Sequence, residues 1–159
     1  MTDTLSPAER SEQMARVRSR DTKPEVTVRK FLHAAGLRYR LHRRIEGTRP
    51  DIVFPTRRLV LFVHGCMWHQ HPNPVCKLAR MPKSRLEFWR PKLEGNRERD
   101  KRQCEALEAA GWAVLTIWEC DVDDLVQLAA LVDNIRAITP HNRTTTLTER
   151  SQLHSISDG

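Results

Sequence analysis

The thirteen residues from His64 to Cys76, HGCMWHQHPNPVC, carry three histidines and two cysteines, and a further cysteine, Cys120, closes an apolar run far downstream. Three thiolates (Cys66, Cys76, Cys120) and one imidazole make the donor set of a closed tetrahedral zinc site that would staple this loop to the segment ending at Cys120. The four-residue gaps from Cys66 to His71 and from His71 to Cys76 are looser than a Cys-x-x-Cys pair, and spacing leaves open whether His69 or His71 is the ligand. The histidine outside that shell is free for proton transfer near neutral pH. A shell closed by four protein ligands gives zinc no open position, which speaks against a zinc hydrolase of small molecules. Cys104 has no histidine near it and reads as a core thiol.

A second centre of chemistry is Asp51. It opens the apolar run DIVF immediately after Pro50, and the next apolar run, RLVLFV, leads into His64. Pro55-Thr56-Arg57 is a short turn-like link, so the two runs are expected as neighbouring strands with Asp51 and His64 close together. A solvated acid at a strand start is the ordinary alternative. A carboxylate beside a backbone carbonyl is instead a hard-oxygen site suited to Mg2+, an ion that neutralises charge developing on a phosphoryl group. Met67, Trp68 and Trp89 are either small-core packing or apolar side chains able to wedge between stacked bases.

The elements that must position these groups follow from capping signals and periodicity. SPAER starts a helix with Ser6 as cap, Pro7 at its first position and Glu9 completing a capping box. That helix, through Arg18, is mostly polar, with Met14 and Val17 as its few large apolar residues, and is expected to be a peripheral arm. A second helix begins at Thr22 with Glu25 three residues on and ends at Gly36. Val28, Phe31, Leu32 and Ala35 form its core face. RYRL, DIVF and RLVLFV are strands, and residues 64–85 form a long proline-containing loop of the kind that carries function. NRERDKRQCEALEAAG is a helix ended by Gly111, with Cys104, Leu107 and Ala110 inward. WAVLTIW is a buried strand and DVDDLVQLAALVDNIRAI a final helix. The expected fold is α/β, a central mixed sheet flanked by helices. Residues 1–139 would form one domain, with 1–20 as the arm and 140–159 as a flexible tail.

Composition narrows the partner. The chain has 159 residues, 39% hydrophobic and 30% charged, with net charge +7. Residues 16–49 hold eleven Lys/Arg against three acids and residues 77–102 ten against four, whereas residues 119–133 hold five acids and no base. Basic blocks flanking a His/Cys cluster point to nucleic acid. The longest apolar stretch is too short and interrupted to span a bilayer, no secretory leader is evident, and a cytoplasmic protein with reduced thiols is expected.

The segments RSEQMARVRSRDTKPE, RPDIVF, LVLFVHGCMWHQH, EFWRPKLEGNRERD, EALEAAGW and VLTIWEC, in order over roughly residues 10–121, resemble the bacterial very short patch repair (Vsr) endonucleases. These are mismatch nickases of the PD-(D/E)xK restriction-endonuclease-like superfamily. The resemblance implies that Asp51 and the backbone carbonyl of Val63 bind Mg2+, in the Phe62-Val63-His64 version of the acid-x-Lys pattern. It implies that His69 activates water, and that Glu25 and His64 hold metal-bound waters and phosphate, the Glu25 cap leaving one carboxylate oxygen free. It assigns Cys66, His71, Cys76 and Cys120 to structural Zn2+, and Met67, Trp68 and Trp89 to a major-groove wedge with Met14 of the arm entering opposite. Met67 stands where the family has an aromatic, and PNPV lengthens the gap before Cys76.

The implied activity is an Mg2+-dependent nick of one strand of double-stranded DNA, 5′ to the thymine of a T:G mismatch left by 5-methylcytosine deamination. A monomer is implied, without nucleotide cofactor or membrane, linked functionally to a cytosine-5 DNA methyltransferase and downstream repair proteins. The rivals are a non-catalytic zinc-stapled module that binds distorted DNA, and a related nuclease for another mismatch or modified base.

Overall fold

The computed structural model describes residues 6–16 and 19–141. Two helices lead the described chain, α1 (Pro7–Arg16) and α2 (Lys23–Ala34). There follow three strands, β1 (Arg40–Leu41), β2 (Ile52–Phe54) and β3 (Leu59–His64), then α3 (Leu86–Ala109), β4 (Ala113–Trp118) and α4 (Leu125–Ala137). The strands form one sheet in the order β1-β2-β3-β4, antiparallel except for the parallel pair β3 and β4. The sheet is therefore mixed, as expected.

β3 organises the core. All six of its residues are buried, because side chains alternate to two covered faces. Leu59, Leu61 and Val63 pack with Val28 and Leu32 of α2 and with Leu128, Leu131, Val132 and Ile135 of α4. Val60 and Phe62 join Val53 and Leu107 of α3 on the other face. Three layers result, with α2 and α4 on one side of the sheet and α3 on the other. A parallel pair needs a long crossover, and here it is the loop and α3 that lie between β3 and β4.

Local signals behave as chemistry requires. Ser6 and Glu9 cap each other reciprocally, Ser6 N–H to Glu9 Oε2 at 2.8 Å and Glu9 N–H to Ser6 Oγ at 3.3 Å. Thr22 caps α2 by accepting from the Glu25 N–H. Gly36 and Gly111 follow α2 and α3 with φ of +83° and +82°, the left-handed conformation that ends helices.

Several expectations need correction. α3 begins at Leu86, ten residues before the expected Asn96, and passes through Pro91. Pro91 is its sixth residue, so one N–H bond to the Glu87 carbonyl is forfeited while the rest of the helix continues. The WAVLTIW strand is not buried: among β4 residues only Ile117 is, and Thr116 is exposed, because β4 is the sheet's edge. RYRL contributes only Arg40 and Leu41 to the ladder, and both are exposed. The proposed flexible tail lies outside the described residues after His141, as do Val17 and Arg18 of the arm.

Candidate active site and metal cluster

β3 and β4 run parallel and in register to His64 opposite Trp118, so the chain leaves both strands at the same end of the sheet. Open α/β sheets place ligands at such carboxyl ends. Cys66 comes two residues after β3 and Cys120 two residues after β4. The sulfurs of Cys66, Cys76 and Cys120 and a ring nitrogen of His71 all lie within 4.8 Å of one another. The Cys66 N–H donates to Glu119 Oε2 at 3.2 Å, and the His71 N–H to the Cys66 carbonyl at 2.9 Å.

Of the two histidines that spacing left open, His71 joins the thiols and His69 turns to the opposite side. Cys104 stands apart, packed against the second core cluster. The hydrogen bond from His71 pulls the Cys76 thiol down to about 7. Burial pushes the Cys66 and Cys120 thiols up, Cys120 further through the neighbouring Cys66. Crowded thiols that resist carrying charge together are what a soft divalent cation relieves, and the Cys3His donor set fits zinc.

On the other side of the loop lies a cleft of about 650 Å3 whose walls include Glu25, Asp51, Val63, His64, His69 and Asp100. Asp51 precedes β2, and its Oδ2 accepts the Val63 N–H at 2.7 Å, so the antiparallel pairing of β2 and β3 brings the two together as expected. Burial raises the Asp51 carboxyl to about 6; the Glu25 charge adds to this, and the Val63 N–H and nearby histidines oppose it. A carboxylate made reluctant to ionise by burial and a second carboxylate fits a hard cation.

His64 and His69 stack with ring centroids 3.9 Å apart and planes 5° from parallel. Burial, and then the charge of His69, lowers His64 to about 4. His69 Nδ1 lies 2.5 Å from Asp100 Oδ2. Burial works to raise Asp100, but the hydrogen bond and charge of His69 outweigh it and hold the carboxyl below its usual value. An ionised Asp100 keeps the His69 proton on Nδ1 and leaves Nε2 as the acceptor. Trp118 lies between the two centres, with its ring 5.2 Å from that of His64 and 4.4 Å from that of His71.

Glu25 differs from expectation. Neither of its oxygens is free: Oε2 accepts from the Asp21 N–H at 2.9 Å and from Arg29 at 2.9 Å, and Oε1 from the Thr22 hydroxyl at 3.1 Å. The apolar residues divide. Met14 of α1 and Trp68 line the cleft, whereas Met67 and Trp89 do not. Trp89 is tied to it by packing on Trp68, with centroids 5.9 Å apart, and Asn96 holds Trp68 by donating to its carbonyl at 3.0 Å.

Asp100 and Phe88 were missed in the sequence. Phe88 is exposed and packs edge-on to Trp89 at 5.2 Å. The overlooked signal is helical: Lys92, Asn96, Arg99, Asp100 and Gln103 form a polar stripe down α3 that lines the cleft. Asn96, Arg99, Asp100 and Gln103 already fall in the expected helix, and only Lys92 requires its extension through Pro91.

A family model described as DNA mismatch endonuclease Vsr matches residues 2–74. The Type II nicking enzyme V.XorIIP of Xanthomonas oryzae pv. oryzae is 54% identical over 136 residues, covering 85% of this chain and 97% of that protein. The DNA mismatch endonuclease Vsr of Escherichia coli K12 is 40% identical over 120 residues, 76% of this chain and 75% of that one. Among solved structures, the catalytic domain of the homing endonuclease I-Bth0305I superposes with a TM-score of 0.50 at 20% identity, over 74% of this chain and 96% of that chain, a likeness of fold.

Proposed function

This chain belongs to the Vsr family of DNA mismatch endonucleases, and on that premise we propose that it is an Mg2+-dependent nickase cutting one strand of duplex DNA 5′ to the thymine of a T:G mismatch. The observation that carries this reading is the cleft in which Asp51 and Val63 face the His64–His69–Asp100 group.

In that cleft Asp51 and the Val63 carbonyl would hold Mg2+, which when bound neutralises charge developing on the scissile phosphate. His69 takes the proton of the attacking water at Nε2. Asp100 fixes the imidazole from the far side and stabilises the imidazolium that results. His64 stays neutral and stacked, holding the plane of the His69 ring, while Glu25, its oxygens taken by Asp21, Thr22 and Arg29, contributes negative charge beside Asp51. Arg49, Lys92 and Arg99 line the same cleft and supply positive charge to the backbone. Cys66, His71, Cys76 and Cys120 would hold a structural Zn2+ and so keep Trp68 and His69 in register.

Trp68 and Met14, with Trp89 and Met67 beside them, are the wedge. A mismatched step unstacks at lower cost than a paired one, so insertion selects it. The protein would act as a monomer on chromosomal DNA, on lesions left where a cytosine-5 methyltransferase has acted, and would hand its nick to downstream repair proteins. Among the described residues no helix is long and apolar enough to cross a membrane.

The test is strand-specific nicking of duplexes carrying T:G, other mismatches or T:A, with Mg2+ and then with EDTA. The expected result is a single cut 5′ to the thymine of T:G that EDTA abolishes. Binding of mismatched duplex without any cut would favour the non-catalytic module, and preference for another pair the related nuclease.

A further inference from the structure

Arg29 has no part in the chemistry above, yet its guanidinium joins three segments. One terminal nitrogen lies 2.5 Å from Asp21 Oδ1, in the linker between α1 and α2. The other lies 2.9 Å from Glu25 Oε2 and 3.3 Å from His42 Nε2, just past β1. The side chain is 11% exposed, and its Nε is buried without a hydrogen-bond partner. A buried guanidinium with an unsatisfied N–H costs stability that hydrophobic packing would not. Two carboxylates on its terminal nitrogens offset part of that cost.

What the arrangement achieves is visible at Glu25. This carboxylate is 4% exposed, lines the cleft, and adds its negative charge to that of Asp51. Arg29 neutralises it from behind. The Asp21 N–H grips the same Oε2, from a residue held at φ +53°, a left-handed conformation that few side chains favour. The end of the arm linker and the floor of the cleft are thus clamped to one cation.

We infer that Arg29 is a positioning residue for the nicking reaction: it locks the Glu25 carboxylate at the cleft and ties the arm's linker to it, so that seating of the arm and assembly of the reactive site are one event. The inference rests on the proposed nuclease reading. Displacing the linker breaks the Asp21 contacts and loosens Glu25, which is then held by Thr22 and Arg29 alone. With the linker seated, Glu25 presents a single orientation towards Asp51. Arg29 itself does not line the cleft and is largely buried, so it is not expected to neutralise phosphate.

The experiment is steady-state and single-turnover nicking of a T:G duplex by the full chain, comparing the parent with Arg29→Met, Arg29→Lys and Asp21→Asn, with melting temperature and salt dependence measured alongside. Arg29→Met should lower kcat about tenfold or more, as a loosened reacting group does, and leave the DNA half-saturation within about twofold and the salt slope unchanged. Arg29→Lys should recover most of that loss, since a cation of similar reach returns. Asp21→Asn, at an exposed side chain outside the core, should lose kcat severalfold in the same sense and keeps the test valid if Arg29→Met folds poorly. Unchanged kcat in both Arg29→Met and Asp21→Asn would overturn the inference. So would a salt slope reduced by about one, which marks a phosphate contact, or a loss that follows the melting temperature and is not relieved by lysine. A parent that binds but never nicks would defeat the functional reading itself, and this inference with it.

Discussion

At the level of single residues, Asp51 and His64 have opposite effects on stability as pH changes. Asp51, raised from 3.8 to about 6, keeps a proton in the folded metal-free protein that the unfolded chain has released, so stability falls as pH rises through that window. His64, lowered from 6.5 to about 4, refuses a proton that the unfolded chain takes, so stability grows as pH rises over nearly the same range. Each contribution is on the order of 3 kcal/mol, and without metal they largely cancel. Mg2+ held at Asp51, as proposed, would compete with its proton and remove one side of that balance. Thermal melting with and without Mg2+ should therefore diverge from about pH 4 to pH 6 and hold a constant gap above. A gap independent of pH would mean that Mg2+ does not bind at Asp51.

Asp100→Asn should keep the fold but lower single-turnover nicking by about a hundredfold or more, because the His69 tautomer is no longer enforced. Asp51 was singled out by its place at the start of an apolar strand, whereas His69 was told apart from His71 only through the family resemblance. Asp100 was not legible, because one acid in a dense run of charges carries no mark of its partner until the helix and the loop are packed together.

At the level of elements, the loop after β3 makes both centres possible by presenting His69 and His71 to opposite sides. Cys120→Ser should lose bound zinc, lower the melting temperature and abolish mismatch nicking together. Cys104→Ser should leave zinc content unchanged, as metal analysis and melting curves will show. Trp68→Ala should lower discrimination of T:G over T:A about tenfold to a hundredfold, the value of one stacking contact, in paired nicking assays. The helices were readable where capping and apolar spacing agree, as in α2. α3 was read too short because Pro91 and Gly95 look like breakers, although near an N-terminus a proline removes just one bond. β4 was misjudged because an apolar run does not reveal which strand forms the edge.

At the level of the whole molecule, charge and fold point to one face. Arg49, Lys92 and Arg99 line the cleft together with Glu119, whereas the rest of the acidic stretch, to Asp133, runs into α4 on the opposite face of the sheet from α3. Duplex affinity should fall log-linearly with salt, and Arg49→Ala should reduce that slope by about one, as measured by titration at several salt concentrations. Sequence order over residues 10–121 made the family recognisable as a whole, while the closing of Glu25's two oxygens combines a Thr22 capping box and an i,i+4 pair with Arg29, both local patterns, with the Asp21 N–H, which the capping signal did not mark. The most direct measurement is the single-turnover nicking rate of Asp51→Asn on a T:G duplex at saturating protein. About a thousandfold loss with DNA binding retained is the expected result; nicking at the parent rate would contradict a reaction centred on Asp51 and His69.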